Sequence, residues 1–406
     1  MIVKNITLLG HKDHGKSTTI GNLLILTKTV TQDRINEAKR ISRELGRQFE
    51  PGYILDSFSE ERENEMTIDT TRAELVHKDL AFAFIDVPGH EELIKNMISG
   101  ASYAEIALLM VSAKKEEGIR EQTKRHIFIA RMLGIDKLIV AVNKMDLIGY
   151  DHKKFHEMCT ELAKFIERVG FKRSNVFFVP ISAYNGDNLV KRSKMMKWYK
   201  GKPVLDLLYV HAKGEDTRLG RSALRVVAQG FIDPERKIIV GKVVSGKISV
   251  GSNINILPIG ATSKVSAISV KGKRVRTARI NDDVAIHIST PISKDVRGTV
   301  IVDSSEKPLL TDKINSLIFV TAPIRRNLKI KVNGSEVACK KFDVIKHIDT
   351  TTGEPMAESK IEPLDAIRSR ITLSKKVPIE NFESLRELGR FVLYSEGKFA
   401  GIGIVE

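Results

Sequence analysis

Residues Ile2 to Leu9 read as a buried strand and Ser17 to Leu26 as the start of a helix, and Gly10-His11-Lys12-Asp13-His14-Gly15-Lys16-Ser17 lies between them. A strand and a helix joined by this G-x-x-x-x-G-K-[ST] turn leave the fold little choice. Glycines at both ends let successive backbone N–H groups and the helix N-terminus converge on one anion, the geometry that cradles phosphate oxygens. Lys16 adds a positive charge, and the Ser17 hydroxyl is a candidate Mg²⁺ ligand. Asp13, His14, Gly15, Lys16, Ser17 and Thr18 are the candidate phosphate contacts. His11, Asp13 and His14 also carry metal-binding chemistry, but their close spacing around a lysine suits a phosphate cradle better than a zinc site.

The 406 residues exceed one ordinary core, so two or three domains are expected. No stretch reaches the roughly 18 apolar residues of a membrane span, and Met1 leads into a strand without a secretion signal. A soluble cytoplasmic protein is expected. Cys159 and Cys339 lie far apart without metal-ligand spacing, so neither a disulfide framework nor a zinc site is indicated. The net charge of +16 is uneven: residues 1–217, 218–310 and 311–406 carry +4, +9 and +3. The middle segment's densest run, Lys271 to Arg279, alternates like an exposed strand pair and could track a phosphate backbone.

Strand and helix signals alternate through the first half, which predicts a parallel sheet covered on both faces. After the loop helix, Val30 to Gly46 is helix-patterned through Ile35, Ala38, Ile41 and Leu45. Asp56 to Ile68 is too polar for a core; beside a triphosphate it is a candidate switch, ordered when ligand is bound. Strand Leu80 to Ile85 ends at Asp86-Val87-Pro88-Gly89-His90. Ligands sit at strand carboxyl ends in open α/β sheets, so Asp86 is expected to meet the magnesium through a water, and Gly89 to bring its N–H to a terminal phosphate.

Strands Ile106 to Val111 and Lys137 to Val142 follow, the second ending in Asn143-Lys144-Met145-Asp146. The Asp146 carboxylate can accept both N1–H and the N2 amino group of guanine, whereas adenine presents an acceptor there and leaves the charge unpaired. Such a bidentate contact is worth roughly 1–3 kcal/mol, so guanine is favoured. Helix 154–169 and strand Val176 to Ile181 lead to Ser182-Ala183-Tyr184, whose backbone can receive the guanine ring. From Arg218 onward short strands alternate with Gly and Asp turns, the pattern of a β-barrel, with a second barrel beginning near Ile314.

Taken together, Gly10 to Thr18, Asp56-Ser57 with Glu60 to Glu63, Thr67-Ile68-Asp69, Asp86 to His90, Asn143 to Asp146 and Ser182-Ala183 resemble the translational GTPases. The chain is most similar to elongation factor 1 alpha of the archaeal and eukaryotic type, a relative of bacterial elongation factor Tu. The likeness extends to Leu388-Gly389-Arg390-Phe391 and to Gly401-Ile402-Gly403-Ile404-Val405. It implies an α/β P-loop GTPase domain over 1–217 followed by two β-barrel domains, II over 218–310 and III over 311–406. It also implies GTP as substrate, GDP and phosphate as products, and Mg²⁺ held by Ser17, Thr67 and Asp86. His90 would be the catalytic histidine that orients water when the ribosome's sarcin-ricin loop positions it. The implied partners are the ribosome, tRNA or another RNA and an exchange factor, with no membrane or DNA, for a monomer.

The chain departs from the family at Asn64-Glu65-Met66, where an Arg-Gly pair usually stands, and at Gly230 to Pro234, which replaces a glycine-rich turn. It is also shortened around Pro323 to Val332, where the family meets tRNA. Two other readings stay open on the residues alone. Trp198-Tyr199-x-Gly201 and Leu257-Pro258-x-Gly260-x-Thr262-Ser263 are similar to the GTP-binding subunit of sulfate adenylyltransferase, while Leu388 to Phe391 and the basic middle segment are not. A GTP-dependent binding switch in ribosome rescue or modification, with little turnover, is the third.

Overall fold

The computed structural model describes residues 2–44, 46, 48–55, 71–86, 106–213, 222–233, 235, 237–306, 310–356 and 360–406. It divides into two compact units, Met1–Gly214 with Thr350–Gly353, and Glu215–Asp349 with Glu354–Glu406. Among the described residues no helix is long and apolar enough to cross a membrane.

Among the described residues the first unit is built on six strands: β1 (Ile2–Leu9), β2 (Thr71–His77), β3 (Leu80–Asp86), β4 (Ile106–Ser112), β5 (Lys137–Asn143) and β6 (Val176–Pro180). Their order is β2-β3-β1-β4-β5-β6. β4 is buried at every position, as a central strand covered on both faces must be. Five strands are parallel, but β2 pairs antiparallel with β3, so the all-parallel expectation is corrected at this edge. β2 buries Ala73 and Leu75 while Glu74 and Val76 are exposed, the alternation of a strand with one wet face.

Among the described residues five helices accompany the sheet: α1 (Lys16–Leu26), α2 (Gln32–Glu44), α3 (Glu121–Met132), α4 (His152–Arg168) and α5 (Val204–Ala212). α4 starts where the Asp151 side chain accepts from the N–H groups of Lys153 and Lys154, and it buries Phe155, Leu162, Phe165 and Ile166 along one face. α2 buries Ile35, Ala38 and Ser42 but leaves Ile41 39% exposed, so its apolar stripe is narrower than its sequence suggested. α5 has nine residues, too short for its period to stand out. Phe82 and Phe84 are fully buried between the sheet and its helices, each contributing about 1.5–3 kcal/mol.

In the second unit, β7 (Arg225–Phe231), β8 (Ile238–Ser245), β9 (Lys247–Ser249), β10 (Asn253–Leu257), β11 (Ala261–Val270), β12 (Lys273–Val275), β13 (Thr277–Arg279), β14 (Asp283–Ile288) and β15 (Val300–Asp303) make the first barrel. The order β10-β15-β7-β8-β14-β11 is closed by pairing of β10 with β11, while β12 extends β11 and β9 pairs with β13. β7 runs to Phe231 through a register shift between Ala228 and Gly230. Gly230 has φ 152°, which lets the strand absorb the extra residue.

The second barrel comprises β16 (Leu310–Val320), β17 (Lys329–Val332), β18 (Ser335–Ile348), β19 (Ala366–Pro378), β20 (Arg390–Ser395) and β21 (Lys398–Val405), closed in the order β16-β19-β18-β17-β20-β21. Each barrel has its own Ile- and Val-rich core. Within this unit a smaller cluster joins Val244, Leu257, Val300 and Val302 to Leu385 and Leu388. Arg225 closes the same region, its Nε 2.5 Å from Glu380 and its Nη1 2.5 Å from Glu306, with only 11% of the side chain exposed.

Candidate nucleotide site

The phosphate loop is shaped by two glycines. Gly10 has φ 133°, and a Cβ there would lie 2.5 Å from the Met110 carbonyl oxygen of β4. Gly15 has φ 86°, and its Cβ would meet Asn143 Nδ2 at 2.3 Å. A side chain at Gly10 would press on the β4 backbone, and one at Gly15 would displace the Asn143 side-chain amide. Between them Lys12–His14 form a single 3-10 turn, and α1 starts at Lys16. The first N–H groups of a helix lack acceptors within it and carry the positive end of its dipole. Thr19 donates to the Gly15 carbonyl at 2.9 Å, Ser17 and Asp13 are exposed, and Thr18 is half-buried. Lys16 Nζ lies over the loop, donating to the carbonyls of Gly10 at 3.2 Å and His11 at 3.4 Å.

His14 is fully buried, its Nδ1 3.1 Å from the Met110 carbonyl oxygen. Burial holds the imidazole below its ordinary pKa, opposed by that carbonyl. The ring therefore faces β4, and only the His14 backbone is left to meet a nucleotide.

One amide ties the loop expected to receive the base to the loop expected to cradle phosphates. Asn143, at the end of β5, accepts from the Ala183 N–H at 2.8 Å and donates from Nδ2 to the His14 carbonyl at 2.9 Å. The strand register makes this possible, since Ser112 is opposite Asn143 and Val142 is opposite Pro180. Lys144 adopts a left-handed backbone, φ 64°, and its Nζ pairs with Glu117 at 2.6 Å. Burial pushes the Glu117 carboxyl up, but hydrogen bonds from Lys144 and Ser112 outweigh it and leave the group below its usual range. Asp146 stands half-buried in the first turn of the 3-10 helix Met145–Ile148. Ser182 and Ala183 are buried and Tyr184 is 44% exposed.

Two residues escaped the sequence reading. Asn22 of α1 donates to the carbonyls of Ala183 at 2.7 Å and Tyr184 at 3.0 Å, fixing the loop expected to receive guanine. His126 of α3 accepts from the Gly10 N–H through Nδ1 at 3.3 Å. Each is a buried polar residue within a run of apolar ones, Asn22 before Leu23-Leu24 and His126 before Ile127-Phe128-Ile129, and that was the available signal.

Asp86 is the last residue of β3, in register with Leu8 of β1, so its backbone is level with the start of the phosphate loop; its side chain lies outside the description. Thr67, Gly89 and His90, like the whole candidate switch 56–68, lie outside the described residues. Among the described residues no group of three or more His, Cys, Asp or Glu is placed to hold a metal.

Residues 1–214 match the family model of the elongation factor Tu GTP binding domain, and residues 320–406 that of the GTP-eEF1A C-terminal domain-like family. Elongation factor 1-alpha of Saccharolobus solfataricus is 34% identical, the alignment covering 99% of this chain and 96% of the relative. The proteins of the same name from Sulfurisphaera tokodaii and Ignicoccus hospitalis are both 33% identical over 99% of this chain, with 96% and 95% of their own lengths covered. A crystal structure of sup35 complexed with GMPPNP aligns with the whole chain at 23% identity and a TM-score of 0.44.

Proposed function

The chain belongs to the translational GTPase superfamily, close to archaeal and eukaryotic elongation factor 1 alpha, and on that premise we propose that it is a GTP-hydrolysing switch that times release of an RNA or protein cargo at the ribosome. In this reading the amides of Asp13 to Thr18 and the Lys16 ammonium bind the phosphates. Asn143, Lys144 and Asp146 bind and select guanine, and the Ser182-Ala183-Tyr184 backbone receives its ring. The observation that supports it best is the Asn143 bridge, because one side chain couples the loop suited to phosphates to the loop suited to a base.

The oxygen donors of Ser17, Thr67 and Asp86 fit a hard cation. Ser17 in particular is exposed in the first turn of α1, beside the N–H groups that suit a phosphate. Mg²⁺ held by these residues would supply neutralisation of the phosphate charge. His90 orients the attacking water, and the γ-phosphoryl passes to it to give GDP and inorganic phosphate. Phosphoryl transfer depends on positioning and charge stabilisation, so the free protein should turn over slowly until a partner aligns His90. Domains over 1–217, 218–310 and 311–406 follow in this reading, with the nucleotide governing how the barrels are presented, in the cytoplasm.

The test is GTP hydrolysis with and without ribosomes for the wild type and His90→Ala. Ribosomes should accelerate the wild type and leave His90→Ala at the unstimulated rate with GTP affinity retained. Absence of acceleration in the wild type, or equal acceleration in both, overturns the proposal.

A further inference from the structure

One loop holds the positive excess of the first unit. Between Asp187 and Asp206 the chain carries Lys191, Arg192, Lys194, Lys197, Lys200 and Lys202 and no carboxylate. Without these six, the other 28 Lys and Arg of residues 1–217 are outnumbered by 30 Asp and Glu. All six are exposed, and among the described residues none is in an ion pair. Lys191, Arg192, Lys200 and Lys202 line an open hollow of about 400 Å³ with Asp206 as its single acid.

The loop is firmly fastened although it has no regular secondary structure. Asn188 donates to the Pro180 carbonyl at 2.8 Å and accepts from the Ser193 N–H at 2.7 Å. Met196 is buried. Trp198 donates from Nε1 to the Tyr150 carbonyl at 3.1 Å and packs its ring 4.7 Å from that of His152. The Tyr199 hydroxyl donates to the Lys202 carbonyl at 3.0 Å. Like charges held together repel one another, and here the anchors lie between the cations in the chain. A polyanion that neutralises such a set meets it already ordered, at little further entropic cost.

We propose that the 188–205 loop is a docking surface for the phosphate backbone of RNA. The proposal rests on the ribosomal reading above and adds to it a surface on the nucleotide-binding unit, separate in sequence from the basic run Lys271 to Arg279. An acidic protein partner would need apolar anchors at the centre of the contact, and Met195, 61% exposed, is the large apolar side chain that this loop presents. A phosphate backbone needs none, since its affinity comes from counterion release.

The test uses the full chain and a fluorescein-labelled 24-nucleotide RNA hairpin, followed by anisotropy from about 50 to 300 mM KCl. K191A/R192A/K200A/K202A should weaken binding at least tenfold at low salt and make the log–log salt slope shallower by about 3, as expected for four lost phosphate contacts. K191A/K202A should show about half of that change in slope, and K191R/K200R/K202R should keep the wild-type value. The emission of Trp198 and the affinity for a fluorescent GDP should not change in any variant. An unaltered slope and affinity in K191A/R192A/K200A/K202A, a wild type that does not bind the hairpin, or displacement of the RNA by polyglutamate at equal charge overturns the inference. Failure of the ribosomal reading shows separately, as loss of guanine-nucleotide affinity or ribosome stimulation in the wild type while the RNA slope still reports on the loop.

Discussion

At the carboxyl edge of the first sheet, Asn143 places one end of its amide on His14 and the other on Ala183; inside the barrels, Ile254, Ile256, Ile268 and Ile286 fill a core that other apolar side chains of similar volume would also fill. The first arrangement depends on residue identity, because donors and acceptors must meet a fixed geometry. The second depends on alternation and volume. Arg225 is an exception in the barrels: a nearly buried guanidinium held by Glu306 and Glu380 also depends on residue identity.

That exception gives the largest expected effect. Arg225→Ala leaves two carboxylates facing a partly buried void and should cost about 3–5 kcal/mol of stability, read by denaturant unfolding, with nucleotide affinity unchanged. Replacing all three charged residues with apolar ones of similar size should recover most of the loss. If Arg225→Ala is neutral, the barrels lack even this specific lock.

Gly15→Ala tests the opposite side of the comparison. The added methyl must displace Asn143, so guanine-nucleotide affinity should fall about 100-fold, equivalent to about 2.7 kcal/mol, with a much smaller change in stability. Asp146→Asn should move base preference from GTP towards xanthosine triphosphate by roughly 1–3 kcal/mol, measured as the ratio of the two affinities; an unchanged ratio removes the guanine assignment.

Acid should distinguish the two units. Burial holds His14, His77 and His211 below the ordinary imidazole value of 6.5, with Lys78 adding to it at His77 and Lys137 at His211. Below pH 6.5 the unfolded chain takes up protons that these folded sites refuse. Their contribution is therefore complete above 6.5 and is lost as pH falls towards the lowered values. Trp198, the single tryptophan, lies in the first unit, so its emission should report a melting temperature that drops with acid. The mildest change is Ile318→Val in the second barrel, fully buried, with a cost of about 0.5–1.5 kcal/mol and no effect on nucleotide binding.

The same contrast governs what could be read before any coordinates. Gly10, Gly15, Lys16, Asn143 and Asp146 stand out in the sequence because the chemistry expected of them, a phosphate cradle and a guanine contact, restricts residue type and spacing; the structure adds that Gly15 and Asn143 lie against each other. The strands of the barrels were legible as alternation, but their ends were not: β7 continues to Phe231 because a glycine bulge carries it past an apparent turn. The edge strand β2 was missed because its wet face broke up the apolar signal.

The sequence by itself determined the motif order, the expected chemistry and the sites of the basic runs, since these depend on residue types and their spacing along the chain. Tertiary structure alone decided that the His14 ring points inward, that Asn22 and His126 brace the loops after β6 and β1, and that Arg225 finds both Glu306 and Glu380. Those contacts join residues from 81 to 161 positions apart. Hydrogen bonds and burial over such separations are fixed by how strands and helices pack, and local patterning carries no record of them.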